Sequence, residues 1–240
     1  MRSPLATFFK HAALGCLLLF FLSDAFADQS SDKRVALFAK LPDWSGVWES
    51  VPLPSPNTSP PNDPSYSAAW LQKHATHKSP EEASDNTASR CVWGMPRLVK
   101  TSHEFEVMVL PEQTVFSYDI NEFRHVWTDG RKHPIRASVT PTGHSIGHWD
   151  GATLIIETIA MQPGLWINPK GGTLSPKALI DERWTQIDAD HLKVDVTVRD
   201  SVALAKPFAF SRKFQRVVDN NRLAQHQCFE EPHPAANKDP

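Results

Sequence analysis

The second half of the chain alternates apolar and polar side chains, which is the period of β-strands rather than of helices. The clearest run places Leu192, Val194, Val196 and Val198 on one face. Turn signals separate further runs of this kind, at residues 46–48, 105–109, 115–120, 123–127, 144–150, 153–159, 180–184, 208–214 and 223–229. Roughly nine or ten short strands at near-regular spacing predict a sandwich or a barrel. Because hairpins link most of them, we expect a mainly β fold, an antiparallel up-and-down barrel.

One short helix is predicted ahead of most of these strands, over residues 66–77, with Ser65 or Ser67 as its cap. A proline-rich stretch precedes the helix, and an acidic, poorly patterned stretch follows it. The chain is therefore divided into a lead-in region at 28–103, the barrel at 104–229 and a flexible tail at 230–240.

The first 27 residues have the pattern of a signal peptide. Arg2 and Lys10 are basic, residues 12–22 are apolar, and Ala25-Phe26-Ala27 is a small-x-small cleavage site. We expect the mature chain to begin at Asp28 and to be periplasmic or secreted. Cys16 raises the alternative of a lipoprotein signal, but the apolar run continues past it. No later stretch has the length of a membrane-spanning helix.

The net charge limits the classes of expected partner, and the cysteine count bears on whether the mature chain contains a disulfide. The net charge is −2, and the sequence has no basic block or arginine-rich arm, so nucleic acid is not an expected partner. Two cysteines remain after signal cleavage, Cys91 and Cys228. In an oxidising compartment an even count favours a disulfide, and we expect these two to be bridged.

Residues 129–158 hold the densest set of chemically capable side chains, including Arg131 and His133. Asp150-Gly151 lies between two alternating runs and predicts a hairpin with a type I′ turn. A two-residue loop at that pair would place His144 directly opposite Glu157. The pair is either a cross-strand brace or a catalytic dyad in which Glu157 orients His144. The dyad would raise the pKa of His144 and lie at a mouth of the barrel.

Two further polar residues fall on apolar faces. Glu182 shares a face with Ile180 and Trp184, and an unpaired buried carboxylate is costly. It therefore either meets a partner such as an arginine or carries a raised pKa at a site. His125 shares a face with Phe123 and Trp127, so we expect it to point inward.

Several motifs resemble those of a group of exported, uncharacterised bacterial proteins with lipocalin-like barrels. They include Gly46-Val47-Trp48, which matches the Gly-x-Trp pattern that opens such barrels, where the tryptophan closes one end. The others are 43–48, Cys91 with 94–97, 129–134, 143–151, Glu182-Arg183, Lys206-Pro207 and Cys228. The chain differs at His148, where the relatives carry arginine, and before Ser175, where they tend to carry histidine. The resemblance implies a lipocalin-like barrel and export, and no particular activity.

Three kinds of function remain open. The first is an acid–base enzyme of lyase or isomerase type, acting on a small uncharged or aromatic molecule through His144, Glu157 and Glu182. Ser145 is a poor nucleophile candidate, because alternation points it away from His144. The second is a non-catalytic binder, since such barrels commonly hold one small ligand. The residues expected to contact the ligand are His125, Trp127, Arg131, His133, Trp149 and Trp184, with Trp166 as a further apolar wall. The third is a metal site from His125, His133, His144 and Glu182. No cofactor is expected.

Overall fold

The computed structural model describes residues 32–33, 35–52, 63–74, 92–100, 103–168, 172–218 and 223. The chain divides into two compact units, residues 1–41 and 42–240. In the first unit, residues 35–38 are helical. The second unit contains the β-structure, and Cys91, Cys228 and the strand expected at 223–229 fall outside the described residues apart from Leu223.

The second unit is a closed barrel of nine strands in which neighbours in sequence are neighbours in space. The strands are β1 (Gly46–Ser50), β2 (Phe105–Val109), β3 (Gln113–Tyr118), β4 (Phe123–Trp127), β5 (His144–Asp150), β6 (Thr153–Ile159), β7 (Leu179–Asp188), β8 (His191–Arg199) and β9 (Phe208–Arg216). β1 pairs with both β2 and β9, so it closes the ring. The expected mainly β barrel is confirmed, and it starts with β1, before residue 104.

An odd number of strands constrains how this barrel closes. Strand direction reverses at every antiparallel pair, so a closed ring must contain an even number of such pairs. With nine strands, at least one neighbouring pair must therefore be parallel. That pair is β4 and β5, which align Val126 with Ser145 and Trp127 with Ile146. The other eight pairs are antiparallel.

The parallel pair explains the long connection at residues 128–143. A hairpin cannot join parallel strands, so the chain must return from the end of β4 to the opposite end of the barrel before β5 begins. Thr140 fixes the end of this crossover loop beside the end of β6: its amide donates to the Ala160 carbonyl, and its own carbonyl accepts from Gln162. Gly143 then turns the chain into β5 at a φ of +73°.

Aromatic side chains pack together in the interior of the barrel. Trp184 stacks on Phe214 with ring centroids 5.5 Å apart and lies 5.0 Å from Phe116. Phe105 packs edge-on against both Trp184 and Phe214. These four residues and Trp48 are fully buried.

One end of the barrel is held by Arg216 from the last strand. Its guanidinium lies over the ring of Trp48, 4.4 Å from the ring centroid. It also donates to the carbonyls of Asp43, Ser45 and Ala189. Trp48 is thus fully buried beneath the guanidinium of Arg216.

The described part of the second unit also contains two short helices, α1 (Ala68–His74) and α2 (Arg97–Lys100). Ser67 caps α1, because its hydroxyl accepts from the amide of Trp70. The predicted helix is therefore confirmed from Ala68 to His74, with Ser67 rather than Ser65 as its cap, and the predicted residues 75–77 lie outside the described residues. None of the helices in the described residues is both long and apolar enough to cross a membrane.

The expected orientation of β4 is wrong. Arg124 and Val126 point into the barrel, whereas Phe123 and His125 are exposed. Because Phe123 and Trp127 are apolar, the sequence suggested that they and His125 point into the barrel. An arginine can occupy the interior here because a carboxylate inside the barrel pairs with it.

Candidate functional site

The outer face of β5 and β6 forms the floor of the candidate site. Alternation sends Ser145 and Leu154 inward, where both are fully buried, and sends His144, Ile146 and Glu157 outward. The crossover loop brings His133 onto this outer face. The site therefore lies on the outer wall of the barrel and not at its mouth.

The register of the hairpin differs from the predicted one by two residues. Asp150 pairs with Thr153, so the loop is Gly151-Ala152, and Gly151 alone has a positive φ, of +58°. Glycine at the first central position is the arrangement of a type II′ turn, which moves the loop one residue towards the C-terminus. Glu157 consequently lies opposite Ile146, and the direct pairing with His144 was wrong. A shift of two residues preserves the face, so both side chains still point outward.

His133 fills the gap that this offset leaves between His144 and Glu157. Its Nδ1 lies 2.7 Å from Nδ1 of His144, a hydrogen-bonding distance. Its Nε2 lies 3.3 Å from Oε1 of Glu157, within ion-pair range but off the direction of a hydrogen bond. The side chain of His133 is only 13 % exposed, whereas that of Glu157 is 46 % exposed. The expected pair is thus a chain of three groups, Glu157–His133–His144.

One arrangement of protons satisfies all three groups while the two imidazoles are neutral. Glu157 as a carboxylate only accepts, so it favours a proton on Nε2 of His133. Nδ1 of His133 is then a lone pair, which accepts the Nδ1 proton of His144. That leaves a basic lone pair on Nε2 of His144, an atom with no hydrogen-bond partner among the described residues. The hydrogen bond between the two histidines therefore provides one step for proton movement from His144 towards Glu157.

The surroundings of His144 favour its neutral form. Burial comes first in lowering its pKa below the usual 6.5, and the neighbouring charges of His133 and Arg131 lower it further. The predicted increase in this pKa was wrong, because His133 separates His144 from the carboxylate. The neutral form is the one that can accept a proton near neutral pH.

A pocket of about 390 Å³ adjoins the carboxylate end of this chain. Ile146 and Ile155 give it an apolar floor, while Arg131, His148, Glu157 and Asp181 supply polar groups. The remaining lining residues are Gly130, Gly147 and Ile156. Its volume is in the range of small-molecule sites.

Two glycines shape this region. A Cβ on Gly147 would lie 2.7 Å from the Ile155 carbonyl, so no side chain fits at that point in the wall of the pocket. A Cβ on Gly143 would lie 2.6 Å from the Ile159 carbonyl, directly before His144. Both contacts keep β5 close against β6.

A second pocket of about 390 Å³ lies between α1 and the loop before β7. Trp70, Lys73, Leu174 and Lys177 are among the residues that line it. Its lining contains neither a histidine nor a carboxylate. We therefore take the pocket beside Glu157 as the candidate site.

Glu182 lies inside the barrel and belongs to a different network. Arg124 binds it with both terminal nitrogens, at 2.9 Å and 2.6 Å. Arg124 also donates to Ser145 at 3.1 Å and Thr158 at 2.8 Å, and Trp184 donates to Glu182 at 2.9 Å. Of the two interpretations of Glu182, the structure supports pairing with an arginine. Sequence reasoning did not identify Arg124, because its apolar neighbours in β4 pointed to the other face.

The burial of this network removes Glu182 and Ser145 from the candidate catalytic residues. Both are almost fully buried on the face opposite His144. Burial alone would lower the pKa of Arg124, but the charge and hydrogen bonds of Glu182, together with Tyr118, outweigh burial and raise this pKa. The network therefore remains ionic and holds four strands together from within.

The aromatic side chains proposed as ligand walls are dispersed. Trp184 is in the core, and Trp149 packs edge-on against Trp44 at 4.8 Å. Trp166 is buried as well, at 7 % exposure. Of this set only Trp127 lies beside the site, where the guanidinium of Arg131 stacks 3.8 Å from its ring centroid.

Arg131 and His125 differ in how they relate to the pocket. Arg131 lines it and binds both carboxylate oxygens of Asp129, which orders the start of the crossover loop. His125 is exposed and lies 3.0 Å from the side-chain oxygen of Gln113, so its expected inward position was wrong.

The proposed metal ligands do not meet. His125 is on the outer face of β4 and Glu182 is inside the barrel, whereas His133 and His144 contact each other. Among the described residues, no group of three or more histidine, cysteine, aspartate or glutamate side chains is placed to hold a metal ion.

One carboxylate of the site was not expected from the sequence. Asp181 lies opposite Glu157 across β6 and β7, and Arg199 pairs with it. The register between these strands, which the sequence does not specify, brings the two carboxylates together. Comparisons of the chain with family models, with curated proteins and with solved structures find no match.

Proposed function

We propose that this chain is an exported acid–base enzyme of lyase or isomerase type that acts on a small uncharged or aromatic molecule. The observation that carries the proposal is the Glu157–His133–His144 chain, with its carboxylate end in a pocket. Glu157 would contact the substrate and transfer the proton, which reverses the roles expected from the sequence. His133 and His144 would exchange that proton with solvent.

The apolar floor of the pocket supports a substrate with an uncharged body. Ile146 and Ile155 provide contact area without polar partners, and Arg131 and His148 can orient one polar substituent. A carboxylate positioned at hydrogen-bonding distance from a bound molecule can contribute about 10²–10⁴-fold to a proton transfer. The histidine pair would restore its protonation state after each turnover.

A general proton-transfer probe tests the proposal without knowledge of the natural substrate. In 5-nitrobenzisoxazole, a base removes the C3 proton, the electron pair forms a nitrile, and the N–O bond breaks to release a coloured phenolate. We expect turnover by the parent protein and its loss in Glu157→Gln. His133→Asn should retain binding but slow turnover. His125→Gln is the matched control, because it replaces an exposed histidine of β4 that does not line the pocket.

The alternative is a binding protein without catalysis, and the same pocket favours it. Its floor and its four polar groups are sufficient to hold a small molecule whether or not a proton moves. If the probe binds and the parent converts it no faster than Glu157→Gln does, the enzyme proposal is wrong and the binding function is favoured.

Export is part of the proposal and rests on the N-terminal sequence pattern. Intact mass of the protein recovered from an expressing bacterium tests it. A chain that begins at Asp28 supports cleavage after Ala27, and a lipid-modified Cys16 contradicts it.

A further inference from the structure

A second inward-pointing arginine, Arg212 in β9, lacks the compensation that Arg124 has. It is 8 % exposed and lies between Phe210 and Phe214 on the inner face of its strand. Its one hydrogen bond with the described residues goes from a terminal nitrogen to the hydroxyl of Ser50. Its Nε is buried without a partner.

A comparison with Arg124 shows that Arg212 has no carboxylate partner among the described residues. Arg124 is buried more deeply than Arg212, and Glu182 neutralises it through two bonds. No carboxylate among the described residues pairs with Arg212. A buried charge without an opposite charge is costly, and buried guanidinium groups normally bind an anion.

A second cation lies near this guanidinium. The Nζ of Lys100, in α2, lies 5.0 Å from the ring centroid of Phe208, which is on the same inner face of β9. Burial lowers the pKa of Lys100; the charge of Asp63 opposes this, and the charge of Arg212 adds to it. Lys100 and Ser50 are only half-buried, so solvent reaches this end of the barrel beside them.

We propose that Arg212, Lys100 and Ser50 form a binding site for a small oxyanion, a carboxylate or a phosphate group, at the α2 end of the barrel. The anion would accept from the Nε of Arg212 and from Lys100, and would give Arg212 a negative partner that it lacks among the described residues. The planar guanidinium fork matches either group. This site is independent of the pocket on the outer wall.

Calorimetric titration of the full chain tests the site with two separate probes, inorganic phosphate and acetate, at constant ionic strength. We expect one of the two to bind, and the one that binds identifies the oxyanion. Arg212→Met should weaken binding about tenfold or more, as expected for loss of hydrogen bonds to a charged group. Lys100→Met should weaken it less.

Lys213→Gln is the matched control, because it removes the same charge from the exposed face of the same strand. It should bind the anion like the parent. Arg212→Lys keeps the charge but removes the fork, and should bind weakly even if Arg212→Met does not fold.

Thermal unfolding gives a second readout. Arg212→Met should unfold at a temperature no lower than the parent in anion-free buffer, and the binding anion should raise the unfolding temperature of the parent alone. Absence of binding of both probes would overturn the proposal. Equal binding by the parent, Arg212→Met and Arg212→Lys would show an adventitious ion only, and would also overturn it.

Discussion

The buried ion pair between Arg124 and Glu182 gives a direct prediction about stability. The change is Glu182→Gln, which keeps the size of the side chain and one oxygen but removes the charge. The side chains of Arg124 and Glu182 are 1 % and 0 % exposed, so water cannot replace the lost charge. Removal of one partner of such a pair costs about 3–5 kcal/mol. Because the amide oxygen can still accept from Trp184 or Arg124, we expect the lower end, about 3 kcal/mol.

The assay is urea unfolding of the parent, of Glu182→Gln, of the single variants Arg124→Met and Glu182→Leu, and of the double variant Arg124→Met/Glu182→Leu. The double variant removes both charges and should recover most of the loss, since apolar replacement of a buried pair is often neutral. Asp181→Asn is the matched control: its ion pair with Arg199 is on the surface, so we expect a cost of about 0–1 kcal/mol. A loss below about 1 kcal/mol in Glu182→Gln, or additive losses in the double variant, would refute the reasoning.

The remaining predictions concern the loops, pH and cysteines. Gly143→Ala should lower the free energy of unfolding in urea by about 3 kcal/mol, because the position combines a positive φ with a backbone clash. Gly151→Ala has a positive φ but open space around its Cβ, so it should lower that free energy by only about 1 kcal/mol. Equal losses in the two variants would contradict this. The lowered pKa of His144 means that the unfolded chain binds more protons, so the free energy of unfolding should fall as pH drops below about 6.5. His144→Gln should remove that slope, and an unchanged slope would contradict it. Non-reducing peptide mapping should detect a pair of peptides linked by a disulfide between Cys91 and Cys228. Two free thiols in the exported protein would contradict this disulfide.

The strands could be predicted because each follows a local period, but the pairing could not. In the 144–159 hairpin the alternation correctly placed His144 and Glu157 on one face. It could not distinguish a loop at Asp150-Gly151 from one at Gly151-Ala152, because both preserve the face. The choice depends on which residue adopts a positive φ, and only Gly151 does.

The third group of the site could not be predicted from any local pattern. His133 reaches His144 because a ring of nine strands requires a parallel pair, and that pair requires a crossover loop. A strand count of nine, had it been certain, would have predicted a parallel pair but not its position. The error at Arg124 has a similar origin, since its burial depends on Glu182, which is distant in sequence.

The central claim is that His133 links His144 to Glu157, through a hydrogen bond to His144 and an ion-pair contact with Glu157. Long-range proton–nitrogen NMR of ¹⁵N-labelled imidazoles measures this directly. We predict a proton on Nε2 of His133, a proton on Nδ1 of His144, and a scalar coupling between the two Nδ1 nuclei across their hydrogen bond. In Glu157→Gln, His133 should no longer prefer the tautomer that carries its proton on Nε2. Two uncoupled rings that both titrate like free histidine, unchanged in Glu157→Gln, would contradict the account.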